Sequence, residues 1–194
     1  MTAVKVDYLG LPYSGVIDPV GVARRGLIEL DSPVQLASGA WSRWFVDGKR
    51  ALSHGSDLIL IAGHMDRLMW DAGHRFDAVG GLTMGADHLA HAIAIVSSCD
   101  WFSVRKEPKG RGTDQLIEGA HIGHDVKVLL VDDVVTTGGS MIRAWHTITA
   151  AGAEVVAAVS FVDRGRRTAE WFEQRRVPYF PLVTFADLRI PEVR

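Results

Sequence analysis

The sequence predicts an α/β fold, a central parallel sheet flanked by helices with a small N-terminal segment ahead of it. Three observations carry this reading. From about residue 58 onward, short apolar runs alternate with stretches of helical spacing, the pattern of strands joined by crossover helices. Most of the apolar runs lead into a glycine-rich or charged segment, which is where an open parallel sheet places its ligands. One run, Val126 to Val131, is valine and leucine apart from Lys127 and reads as a strand buried on both faces.

At 194 residues the chain suits one structural domain, divisible into an N-terminal segment, 1–52, and an α/β core, 53–194. Within the first part, Gly15 to Leu52 mixes β-like runs, Ile28-Glu29-Leu30 and Trp44-Phe45-Val46, with breakers such as Ser38-Gly39. Leu58 to Ala72 places Ile61, Met65, Leu68 and Met69 at helical spacing, with Gly73 as a stop. Phe76 to Gly80 reads as a strand opening into a loop over Gly81 to Gly85, and Leu89 to Val96 as a helix. Phe102 to Arg105 is a strand followed by the polar stretch Lys106 to Thr113. The strand Val126 to Val131 leads to a helix over Met141 to Ala151, and Val155 to Val162 is a strand ending at Asp163-Arg164-Gly165. A helix near Thr168 to Arg176 and a strand near Tyr179 to Thr184 close the chain.

Composition excludes several functions. Basic and acidic residues nearly balance, 21 against 23, so no broad nucleic-acid face is expected. Cys99 is the single cysteine, which excludes an internal disulfide and a cysteine-based metal site. No apolar run reaches membrane-spanning length, no signal pattern opens the chain, and a cytoplasmic protein is expected. His88 and His91, three apart, are expected on a helix surface rather than at a metal.

Chemistry concentrates in two segments. Asp132-Asp133-Val134-Val135 is followed by Thr136-Thr137-Gly138-Gly139-Ser140 and then a helical pattern. Glycines let backbone N–H groups approach an anion, the hydroxyls donate to it, and the helix start adds uncapped donors and a positive dipole end. The two carboxylates suit sugar hydroxyls or a hydrated cation. The bland alternative is an ordinary strand-to-helix turn. The second segment, Arg105-Lys106-Glu107-Pro108-Lys109-Gly110-Arg111-Gly112, carries four cations in seven residues and reads as a mobile loop able to close over a polyanion. A solvated surface turn is the alternative there. The glycines at Gly80 to Gly85 fit either a second anion site or close packing.

The run Val128 to Ser140 resembles the phosphoribosyl-pyrophosphate (PRPP) motif of the type I phosphoribosyltransferases. The R-K-E-x-K-x-x-G at Arg105 to Gly112 is similar to the catalytic loop of the orotate phosphoribosyltransferase family. That likeness extends to Ser38 to Ser42, Trp44 to Asp47 and Asp163 to Gly165, covering about residues 37–165. The resemblance implies a type I phosphoribosyltransferase-like fold with a base-binding N-terminal hood. It also implies transfer of the 5-phosphoribosyl group from PRPP to orotate in pyrimidine synthesis, giving orotidine 5′-monophosphate and pyrophosphate. Mg²⁺ would be held through PRPP and water rather than by protein ligands. A homodimer with shared active sites is implied, without nucleic-acid or membrane partners.

Carried onto this chain, the catalytic residues would be Lys106, Lys109, Asp132 and Asp133. PRPP would be bound by these and by Arg105, Arg111, Val134, Val135, Thr136, Thr137, Gly138, Gly139 and Ser140. Orotate would meet Thr136, Arg164 and Phe45. Three positions depart from the family pattern: Ala37 replaces a lysine before Ser-Gly, Met84 a lysine at the glycine turn, and Arg111 a histidine in the loop. A purine or other heterocyclic acceptor, or a PRPP-sensing regulator, are the alternatives left open.

Overall fold

The computed structural model describes residues 18–36, 39–108 and 116–193. Helix α1 (Pro19–Arg25) starts where Asp18 accepts the Val20 N–H at 3.1 Å, with proline in the first turn. Strands β1 (Leu27–Gln35) and β2 (Trp41–Val46) pair antiparallel as a two-stranded ribbon containing both expected β-like runs. Helix α2 (Gly48–Ala51) follows at once, capped by Asp47, which accepts from Arg50 N at 3.0 Å. Neither α1 nor α2 was expected, because one or two turns are too short to display a period.

The remaining elements alternate. They are α3 (Gly55–Asp71), β3 (Ala78–Leu82), α4 (Asp87–Ser97), β4 (Asp100–Val104), β5 (Ile117–Gly119), β6 (Lys127–Val135), α5 (Gly139–Ala150), β7 (Glu154–Asp163), α6 (Arg167–Glu173), β8 (Tyr179–Thr184) and α7 (Phe185–Leu188). The sheet order is β5-β4-β3-β6-β7-β8, parallel except for β5, which runs against β4 at the edge. The expected central parallel sheet is present, and the three-residue β5 adds an antiparallel edge to it. Along β6 the faces alternate: Leu129 and Val131 pack with Ile61, Met65 and Ile93, whereas Val128 and Leu130 pack with Met141, Ile148 and Phe172. From β3 the chain winds out through β4 to β5, then returns to β6 and winds the other way to β8. The switch point, and hence the ligand crevice, lies beyond the ends of β3 and β6.

Two boundaries shift in ways that matter. The expected strand Val126 to Val131 runs on through the acids to Val135, because Asp132 pairs with Ser160 and Val135 with Asp163 across β7. Backbone pairing there outlasts the apolar pattern. The expected strand Phe76 to Gly80 is displaced to Ala78–Leu82, so Gly80 moves from strand end to strand interior and Gly81 from loop to strand interior. A Cβ on Gly80 would strike the Phe102 carbonyl, and one on Gly81 the Val131 carbonyl, so these glycines serve close strand packing. Gly81→Ala is expected to lower stability by about 1–3 kcal/mol, as overpacking against fixed backbone does. Urea unfolding checks this, and an unchanged midpoint would contradict it.

Candidate active site

Asp132 and Asp133 end up side by side at the switch point, 5% and 8% exposed. Each accepts the N–H of the residue after it: Asp133 N donates to Asp132 Oδ1 at 3.0 Å and Val134 N to Asp133 Oδ1 at 2.7 Å. The turn after β3 lies directly on them, since a Cβ on Gly85 would stand 2.7 Å from Asp132 Oδ1 and 2.9 Å from Asp133 Oδ1. Burial, then the neighbouring Asp133 carboxylate, pushes Asp132 up to about 8. Burial also raises Asp133, opposed chiefly by Lys49, whose Nζ is 3.6 Å from Asp133 Oδ2.

Two site residues escaped the sequence reading. Lys49 sits in α2, and its only cue was a basic pair directly after the aromatic run ending at Asp47. His88, expected on a helix surface, is half-buried, and its Nε2 is buried with no partner among the described residues. It feels the Asp133 charge, while burial lowers its basicity. His91 alone of that pair is exposed. His88 lies one residue past the start of α4, and its interaction with the Asp133 charge puts it on the acid side of that helix.

The hydroxyl–glycine loop joins β6 to α5. Thr136 and Thr137 are half-buried, and Gly139 and Ser140 are exposed. Gly138 takes φ +80°, which favours glycine, and no side chain caps α5. The first N–H groups of α5 therefore meet the crevice without a protein cap. Val134 lines the crevice, whereas Val135 points into the core, so only the Val135 backbone could serve a ligand. Its carbonyl accepts Arg164 N at 2.8 Å.

Beyond β4, Arg105 is tied down. Its guanidinium pairs with Glu118 on β5 at 3.1 Å and its backbone N–H donates to Leu116 O at 2.8 Å. Lys106 is exposed. Lys109 and Arg111, like Ala37, lie outside the described residues.

Phe45, Thr136 and Arg164 meet in one cavity of about 250 Å³, together with Leu36, Lys49 and Asp133. Arg164 is 1% exposed. One NH₂ donates to Ser42 Oγ at 3.1 Å, but Nε has no hydrogen-bond partner among the described residues. Burial lowers its basicity, yet a guanidinium stays charged. Behind it, Asp163 accepts Gly165 N and Tyr179 OH, each at 2.9 Å, and Ser160 Oγ meets Tyr179 OH at 2.7 Å. That network fixes the end of β7. Burial pushes Asp163 up to about 6.

A parallel α/β sheet with an uncapped helix start, a buried acid pair and a buried cation at its switch point defines a sugar-phosphate-binding enzyme domain. Residues 58–179 match the family model described as the phosphoribosyl transferase domain. The chain is 38% identical over 173 residues to the orotate phosphoribosyltransferase of Aquifex aeolicus, covering 86% of this chain and 93% of that one. It is 37% identical over 172 residues to that of Methanothermobacter thermautotrophicus, covering 84% and 93%. Its fold matches the crystal structure of Mycobacterium tuberculosis H37Rv orotate phosphoribosyltransferase in complex with PRPP, with a TM-score of 0.72 at 34% identity over 90% of this chain and 100% of that one. The chain belongs to the orotate phosphoribosyltransferase family.

The acid pair makes a pH-dependent prediction. An Asp132 raised to about 8 stays protonated in the folded protein while the unfolded chain ionises, so its contribution to stability is lost as pH climbs from about 4 to about 8. Asp132→Asn keeps the oxygen that accepts Asp133 N–H but cannot ionise. Without ligand, its melting temperature is expected to exceed wild type by more than about 4 °C at pH 8.5, and the gap to shrink toward pH 5. Thermal melts at the two pH values check it, and a gap independent of pH would contradict it.

Proposed function

We propose that this chain transfers the 5-phosphoribosyl group from PRPP to orotate, releasing pyrophosphate and giving orotidine 5′-monophosphate for pyrimidine synthesis. The observation that carries the choice of acceptor is Arg164. A buried guanidinium costs several kcal/mol unless a carboxylate answers it. Arg164 has no carboxylate partner among the described residues, and it lines a cavity wide enough for a planar base beside Phe45. Orotate brings a carboxylate and ring carbonyls that can answer that charge. A purine lacks the carboxylate.

Residues 1–52 serve as the base-binding hood and 53–194 as the PRPP-binding core. The 5′-phosphate takes the N–H groups and hydroxyls of Thr136 to Ser140 and the start of α5. Asp133, the more readily ionised acid, accepts from a ribose hydroxyl, and a protonated Asp132 can donate to the other. As the anomeric C–O bond breaks, the ribose gains positive character and pyrophosphate gains negative charge. Lys106 and Lys109, with Arg105 and Arg111 beside them, neutralise the departing anion, and the orotate ring nitrogen forms the new C–N bond as its proton is lost to solvent. Among the described residues no group of three or more histidine, cysteine or acidic side chains could hold a metal. Two carboxylates next to a diol and pyrophosphate instead suit a cation that arrives on PRPP and water. Bound there, Mg²⁺ supplies charge neutralisation on the pyrophosphate.

A homodimer fits the surface. Met84 and Ile95 are 71% and 70% exposed, Trp101 is 43% exposed, and His91 packs edge-on against Trp101 with ring centroids 4.4 Å apart. His91 and Ile95 are four apart on α4, so with Trp101 they make a largely apolar patch that a second copy would cover. No described helix is long and apolar enough to cross a membrane, and a cytoplasmic setting goes with this reading.

Spectrophotometric consumption of orotate with PRPP and Mg²⁺ tests the assignment. Lys109→Ala is expected to cut turnover by about 100-fold or more with the melting temperature unchanged. Arg164→Ala should raise KM for orotate more than about tenfold while KM for PRPP stays within about twofold. Turnover of a purine but not of orotate would overturn the acceptor, and a monomer by sedimentation at assay concentration would remove the shared site.

A further inference from the structure

The contact between the N-terminal ribbon and the acid pair runs through one short element. Helix α2 lies so close to the end of β6 that a Cβ on Gly48 would stand 2.9 Å from both Asp133 Oδ2 and Val134 Cγ2. Glycine at 48 permits that approach, and the approach carries Lys49 over the acids. Asp47 caps α2, and its backbone N–H donates to Gly26 O at 2.8 Å, so the helix is anchored to the ribbon and to the residue closing α1. Lys49 Nζ then stands 3.6 Å from Asp133 Oδ2, with the lysine side chain 54% exposed and the aspartate side chain 12% exposed.

Three ionisable groups bear on Asp133: Asp132 from its own strand, Lys49 from α2 and His88 from α4. His88 in turn feels Asp87 and His91, and burial disfavours its charged form. Lys49 is thus the standing positive charge beside Asp133, whose neighbour Asp132 is held protonated by burial and by the Asp133 charge. A buried carboxylate held by one cation and one backbone N–H has a fixed orientation, with its remaining acceptor capacity turned toward the crevice.

Resting on the PRPP reading above, we propose that Lys49 is a positioning residue for the sugar: its ammonium fixes the Asp133 carboxylate in the orientation that accepts the ribose diol. It thereby makes PRPP binding depend on the seating of the ribbon that carries Phe45. Lys49 also lines the base cavity, so the competing possibility is that it meets the carboxylate of the base. The ion pair with Asp133 favours the sugar role, and the two roles load different kinetic parameters.

The experiment measures KM for PRPP and for orotate, with the Kd of PRPP by calorimetry, in Lys49→Ala, Lys49→Met and Lys49→Arg. Lys49→Met keeps the packing of the stem and removes only the charge. Expected is a rise of about tenfold in KM and Kd for PRPP in the alanine and methionine variants, the scale of one charge-assisted contact. KM for orotate should stay within about twofold, and Lys49→Arg should return to within about threefold of wild type. A rise confined to KM for orotate, no rise in either, or an arginine variant no better than methionine overturns the proposal. Wild-type protein that neither binds nor consumes PRPP instead overturns the reading on which it rests.

Discussion

At the end of β6 the backbone continues pairing with β7 for several residues after the apolar side chains stop, and in that stretch it carries Asp132 and Asp133 into a nearly buried position. Placing two carboxylates together out of water is the costly act around which the rest of the crevice is arranged. Each accepts the following backbone N–H, Gly85 and Gly48 press their backbones against them, and Lys49 supplies a counter-charge. The sheet order puts this point where β3 and β6 diverge, so the acids open toward a ligand and not into the core.

The site gathers polar groups of both signs whose bonding capacity is not used up by the described residues. The acid pair has acceptor capacity to spare, while Arg164 is buried with Nε unpartnered among the described residues and α5 begins without a side-chain cap. On the proposed reading, PRPP and orotate together would answer all three, the diol at the acids, the phosphate at the helix start and the anionic base at the guanidinium. Such a site is destabilising when empty and gains affinity and orientation when filled, because its dipoles are already in place before the bond breaks. The Ser160–Tyr179–Asp163 network behind Arg164 supplies the rigidity this needs.

Much of this was legible in the sequence. Strand and helix periods in the core gave the alternation, and β8 was bounded as observed at Tyr179 and Thr184. The acid–hydroxyl–glycine run fell at the switch point, and Phe45, Thr136 and Arg164 converged on one cavity despite their separation in the chain. What escaped was set by tertiary contact. Gly81 looked like a loop because its reason for being glycine is a neighbouring strand's carbonyl. Lys49 carried only the weak cue of a basic pair and His88 read as helix surface, since their place in the site comes from lying beside Asp133, far away in sequence. Strand β5 was missed because three residues at a sheet edge are too few to show alternation.

A crystal soaked with PRPP and magnesium, with Asp132, Asp133 and the Thr136–Ser140 loop intact, addresses the central claim without intermediaries. The account predicts ribose hydroxyls within hydrogen-bond distance of both carboxylates and the 5′-phosphate against the first N–H groups of α5. Density for PRPP elsewhere on the protein, or a ribose turned away from the acids, would contradict it.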